Sequence, residues 1–212
     1  MYKQMAKGGS RFAIVLGIIL SLSNPKSIIP EADATHAPAD KIGVSASTVE
    51  VMSTPLLAGS SSQEVELLRG SLKTSAPTDL SLSVHAECGL WTDVQVIGTG
   101  SSTAKAAVNV WVEVDGAPVP VSRQSGDDGK IVFCNRELAL QIAGVPLIDL
   151  FQKTRSANAF QWMDLDVGAG FHTIVVKARL DANVTGIGMA QAAVGRRTLI
   201  VEPVKLANDA TF

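Results

Sequence analysis

Three histidines, two cysteines and one tyrosine in 212 residues leave little material for the commonest catalytic and metal-binding chemistries. Neither cysteine lies in a C-x-x-C or C-x-x-H spacing, which removes the usual redox and structural-zinc motifs. No G-x-S-x-G elbow occurs, so the many serines carry no hydrolase signature. Charge is scarce too: 18 Lys and Arg stand against 20 Asp and Glu, net −2, and no basic surplus exists to neutralise phosphates by counterion release. Nucleic acid is not an expected partner. Aromatics make up only 5% of the chain, which makes each of its three tryptophans conspicuous.

What the chain has is apolar surface. Hydrophobic residues reach 46% and mean hydropathy is +0.24, a balance that excludes a disordered polyelectrolyte and is enough for one core. Part of that excess is local. Lys3, Lys7 and Arg11 precede an apolar run over residues 12–22, after which Pro25 and Lys26 stop it. A spanning helix needs about 20 such residues, so charge followed by a half-length run reads as a signal peptide. Small-x-small cleavage sites follow at Ser21 to Ser23 and at Ala32 to Ala34. Residues 1–34 are therefore expected to be a signal peptide or short membrane anchor, with the protein secreted or at the cell surface. Membrane contact is expected only through that segment, if it stays uncleaved.

Residues 35–62 shift to Ala, Ser, Thr and Pro and end in Gly59 and three serines, the composition of a flexible spacer that also contains His36. The folded domain is expected over residues 63–206, with a tail at 207–212. In an exported chain two cysteines are expected to pair, and a Cys88–Cys134 bridge would contribute about 4 kcal/mol by restricting the unfolded chain.

Beyond residue 63 the dominant period is two, which places alternate side chains on opposite faces of a strand. Residues 80–88 alternate apolar with polar, and residues 106–115 put four valines on one side and Asn109, Trp111, Glu113 and Asp115 on the other. Asp115-Gly116 supplies hairpin chemistry. Further β-runs fall near 130–134, 138–142, 159–167, 173–180 and 198–201, while the looser pattern around 146–155 suggests a short helix. Many short strands with turns between them indicate an all-β antiparallel sandwich. The segments Val112 to Val119 (VEVDGAPV) and Gly170 to Val176 (GFHTIVV) resemble pieces of immunoglobulin-like β-sandwich modules of exported microbial surface proteins. That resemblance implies a fold and a setting, not an activity.

Few residues invite chemistry. His85 and Glu87 lie two apart on one strand face, the spacing of two adjacent metal ligands, but no third ligand is visible. His172 follows a glycine turn and reads as a corner hydrogen bond. Asp164 and Asp166 share a strand face with Phe160 and Trp162 and are candidates for ligand or calcium binding. Trp111 and Trp162 take the parity of polar neighbours and are candidates for stacking on a sugar if exposed. Trp91 is expected to pack on the bridge, and Asn183-Val184-Thr185 fits the N-glycosylation pattern. No metal or cofactor and no catalytic residue is expected. The expected role is a non-catalytic structural or adhesive module. The alternatives are a glycan- or ligand-binding module using Trp111 and Trp162, and a filament subunit that pairs with another protein by strand addition.

Overall fold

The computed structural model describes residues 39–122 and 124–206. The expected signal segment, His36 and the tail at 207–212 lie outside the described residues. Eight strands run in the order β1 (Gly43–Ser47), β2 (Val51–Met52), β3 (Gly59–Thr74), β4 (Thr78–Val114), β5 (Ala117–Pro118), β6 (Ile131–Val167), β7 (Gly170–Thr185) and β8 (Ile187–Val204). Every pairing is antiparallel, and no helix occurs among the described residues.

The strand lengths dictate the shape. β4 and β6 each hold 37 residues and pair along almost their whole length. Straight, such a ribbon would reach about 120 Å at 3.3 Å per residue, so it has to bend to share a core. The bend falls at glycine. Register shifts flank Gly98, whose φ is +72°, and Gly144 across the ribbon has φ +77°. On its other side β4 changes partner at the same place: residues 79–95 pair with β8, and residues 103–114 pair with β7. Gly186 turns β7 into β8 with φ +82°, and a side chain there would collide with Ser101 and Ser102.

β1 and β2 add to β8, and β3 adds to β7, so the sheet wraps until it is nearly a barrel. The seam between β1 and β3 is stitched without a ladder. Ser45 Oγ donates to the Arg69 carbonyl at 3.0 Å, and the Asp40 amide donates to the Lys73 carbonyl at 2.9 Å. Part of the stretch read as a spacer thus carries strands on the domain itself: Val44 pairs with Ile200, and Val51 with Val194.

Alternation fills the interior. Leu80, Leu82, Val84, Ala86 and Cys88 from one half of β4 join Val108, Val110, Val112 and Val114 from the other half in one buried cluster. Cys88 and Cys134 close the same fold-over, with Cα atoms 6.5 Å apart, a separation that a disulfide spans. A smaller cluster of Val94, Ala104, Leu138, Ala182, Val184 and Ala190 fills the bend end. The hairpin expected at Asp115-Gly116 forms with φ +53° and +84°, pairing Val114 with Ala117.

The short helix expected at 146–155 is absent, because those residues continue β6. Leu147, Ile148 and Phe151 have a helix-like spacing, but each residue there faces a β4 partner, from Ile148 opposite Val96 to Arg155 opposite Gly89. Ladder formation with β4 overrides the local pattern. Pro146 is tolerated because β6 has a strand only on its β4 side.

Candidate functional site

At the end of the barrel opposite the bend, His172 is 7% exposed and both of its ring nitrogens are engaged. Nδ1 lies 2.8 Å from Asp115 Oδ2, and Nε2 lies 2.9 Å from the Gly168 carbonyl and 3.1 Å from Thr74 Oγ1. The Thr74 hydroxyl donates to Gly168 O at 2.7 Å and accepts from the Gly170 amide. Acid, imidazole and hydroxyl are in line, yet the hydroxyl is buried and committed to a carbonyl. The constellation fixes a corner between β3, β4 and β7. Burial pushes the Asp115 carboxyl up, but hydrogen bonds from His172 and the Thr173 amide outweigh it and hold the group below its ordinary range. Asp164, close enough to feel both charges, is raised by burial, partly offset by His172 and reinforced by Asp115. Asp166 is exposed at φ +57°, and its amide donates to Asp79 Oδ1 at 3.0 Å. No group of three metal-ligating side chains occurs among the described residues.

Both sugar-stacking candidates are core residues. Trp162 is 1% exposed and donates its indole N–H to the Gly129 carbonyl at 2.8 Å, with Phe160 edge-on at 4.7 Å. Trp111 is 4% exposed, donates to Glu113 Oε1 at 3.1 Å and carries the Lys130 ammonium 5.1 Å from its ring centre. Neither ring offers a face to a ligand. Their polar parity is explained by the Gly129 and Lys130 segment that covers them. Trp91 does not pack on the cysteine bridge: it has the opposite parity to Cys88, and its ring lies against Gly89, where a side chain would collide with it. Lys153 approaches that ring at 5.2 Å.

The residues that remain open lie on the outer face of the first half of the sheet. One row crosses four strands, Ala46 of β1 beside Thr198 of β8, then His85 of β4, then Ala159 of β6. The neighbouring row contains Glu87 opposite Ala157, and β8 bulges beside it at Gly195 and Arg196. The alanines stand low and the result is a groove of about 700 Å³ lined also by Thr48, Arg196 and Arg197. His85 and Glu87 are thus brought to the same face as exposed Arg196, whereas Arg197 borders the groove and turns its side chain to the inner face. Among the described residues, His85, Glu87 and Arg196 make no side-chain hydrogen bond or ion pair.

Arg197 behaves differently. It is 7% exposed, and its guanidinium donates to three carbonyls, Leu67 at 2.8 Å, Gly195 at 3.1 Å and Val49. Burial lowers its pKa, and no carboxylate is among its partners. The arginine pair went unnoticed in the sequence, although two adjacent arginines inside an apolar strand run were a usable signal. Asn183 is exposed in the middle of β7, flanked by Ser60 and Lys105, where it lines a second groove of about 550 Å³.

No family model matches the chain, and no curated protein sequence matches it. A solved structure titled "Structure of infectious bursal disease virus Gx strain" aligns with 15% identity over 81% of this chain, and this chain spans about half, 48%, of that one. Its TM-score is 0.18, which carries no argument about fold or function.

Proposed function

We propose that the chain is a non-catalytic, exported surface module with a structural or adhesive role, its barrel flattened into an immunoglobulin-like β-sandwich. The observation that carries this reading is the commitment of the buried His172 and Thr74 to one another, to the half-exposed Asp115 and to the Gly168 carbonyl. A general base needs a free lone pair and a nucleophile needs an approachable hydroxyl, and here both are spent on the corner. The cysteine pair at bridging distance supports an oxidising setting, where such bonds persist. Two halves of one strand sharing a core cluster support the two-layered sandwich. β1 lying on the chain's own β8 favours a self-contained module over a subunit that donates this strand to a neighbour.

The test uses the full chain in its native host. Intact cells are treated with protease and with a thiol reagent in the absence of reductant. The expected result is a protein that is cleaved or released at the surface and shows no free thiol. A protein retained inside with both thiols labelled, or turnover in an activity screen that His172→Ala abolishes, would overturn the reading.

A second reading, a glycan- or ligand-binding module, moves from the tryptophans to the outer groove, because the groove is where unpartnered polar side chains converge.

A further inference from the structure

We propose that the open edge of β6 pairs with the same edge of a second copy of this chain, antiparallel about a two-fold axis at Phe151, so that Asp149 of each copy faces Lys153 of the other. Such pairing goes beyond the structural role proposed above and does not depend on it, because it follows from one strand edge.

That edge is open. β6 pairs with β4 on one side and with no strand on the other. Alternate residues of an edge strand point their N–H and C=O groups away from the sheet, where they are free to pair with an added chain. Proteins blunt such edges with proline, bulges or charge. Here Pro146 stands at one end, and the only charged residues over 147–155 are Asp149, Lys153 and Arg155. Asp149, Leu150, Phe151, Gln152 and Lys153 are all exposed, so no side chain of the chain's own covers them. Leu147 is 53% exposed and Phe151 is 55% exposed, which adds apolar surface to the unpaired backbone.

Charge selects a second copy as the occupant. Side chains directly opposite each other in a ladder share a face, so two identical antiparallel strands that keep their outer faces together are centred on one residue. Asp149, Phe151 and Lys153 share the outer face, since their β4 partners Gln95, Asp93 and Trp91 alternate with the buried Val94 and Thr92. A centre at Asp149 or at Lys153 sets like charges opposite each other, and a centre at Leu150 sets Asp149 against Phe151. A centre at Gln152 sets Asp149 against Arg155, which Glu50 already holds at 2.7 Å. A centre at Phe151 sets Asp149 against Lys153 twice, the two Phe151 rings against each other, and Leu147 against the stem of Arg155. Lys153 is available for this: it makes no ion pair among the described residues, and its ammonium lies 5.2 Å from the centre of the Trp91 ring.

Asp149 has a reason to take a cation. It forms a carboxyl pair with Asp93, whose Oδ1 is buried without a hydrogen-bond partner. Burial, then Asp149, raises the Asp93 pKa. A lysine ammonium arriving opposite Asp149 brings the positive charge that this pair lacks. An unrelated partner would need a lysine, an apolar residue and an acid at matching intervals, and a second copy carries them by symmetry.

The experiment is sedimentation velocity of the oxidised full chain from about 1 µM to about 1 mM, a span that covers weak and moderate dimers. A concentration-dependent monomer–dimer equilibrium is expected. Asp149→Lys and Lys153→Asp are each expected to weaken it about tenfold or more, because each variant sets like charges opposite each other at both contacts. An equimolar mixture of the two variants is expected to regain the dimer, since one carries lysine and the other aspartate at both positions. Phe151→Cys is expected to give a disulfide-linked dimer on mild oxidation, because facing residues of a ladder have Cα atoms about 4.5–5.5 Å apart, within reach of a bridge. A parent that stays monomeric would overturn the proposal, as would a mixture that stays monomeric or a Gln152→Cys variant that links in preference to Phe151→Cys. Association through the apolar run at residues 12–22 would be unchanged in both charge variants, and that outcome also overturns it.

Discussion

The indole N–H of Trp162 donates to the carbonyl of Gly129 at 2.8 Å, tying the far end of β6 to the loop that precedes it. Trp162→Phe keeps most of the apolar volume and leaves that carbonyl without its partner, so a loss of about 1–3 kcal/mol is expected. Gly129→Ala should cost more. Its φ is +69°, and a methyl group would run into the Val119 carbonyl, which is backbone and cannot rotate away. Urea unfolding curves of both variants check the order; equal midpoints would contradict it.

Joining Cys88 to Cys134 links the two halves of a ribbon that bends between them, over a sequence separation of 46 residues. The chain-entropy relation puts the contribution of such a loop at about 4 kcal/mol. The double variant Cys88→Ala, Cys134→Ala should lose a comparable amount. Unfolding of the parent with reductant present should move its midpoint toward that of the variant, and an insensitive midpoint would show that the bridge contributes nothing.

Acid should act on the corner through Asp115. Its carboxyl is raised by burial but more strongly lowered by His172 and the Thr173 amide, so its folded pKa lies below the unfolded value. The unfolded chain then holds the proton more tightly. The stabilisation is fully present above about pH 3.9, the ordinary aspartate value, and is lost as pH falls through the lower folded value. Asp115→Asn can keep the left-handed turn, since asparagine tolerates that conformation. Thermal melts from pH 7 to pH 2 should show the variant less stable than the parent at neutral pH, with the gap narrowing at the acid end.

Asp93 should show the reverse. Burial, followed by a hydrogen bond and charge repulsion from Asp149, raises its pKa, so the folded state holds this proton more tightly than the unfolded one. The penalty exists at neutral pH and is relieved as pH falls through the raised folded value towards about 3.9. Asp93→Asn is expected to melt higher than the parent at pH 7 and to lose that advantage on acidification. A variant that is less stable at pH 7 would refute the assignment of the penalty to this pair.

The sequence by itself determined the all-β class and much of the core. Period-two alternation is a local property: Leu80 to Cys88 and Val108 to Val114 turn inward in any sheet that buries one face, and both sets are buried here. The Asp115-Gly116 hairpin and the corner role of His172 were legible for the same reason, since the turn chemistry and the glycine beside it are local. Partner choice was not local. Residues 146–155 carry a helix-like spacing but lie on β4, and Val44 and Val51 lie on β8, because ladders form between segments that are far apart in sequence. Exposure of the tryptophans was likewise decided in three dimensions: Trp111 and Trp162 have the outward parity of their neighbours, and only the return of the chain through Gly129 and Lys130 covers them. The groove is the clearest case. His85, Glu87 and Arg196 are ordinary surface residues along the chain, and they converge only because β8 pairs with β4 in a register that places Thr198 beside His85 and bulges next to Glu87.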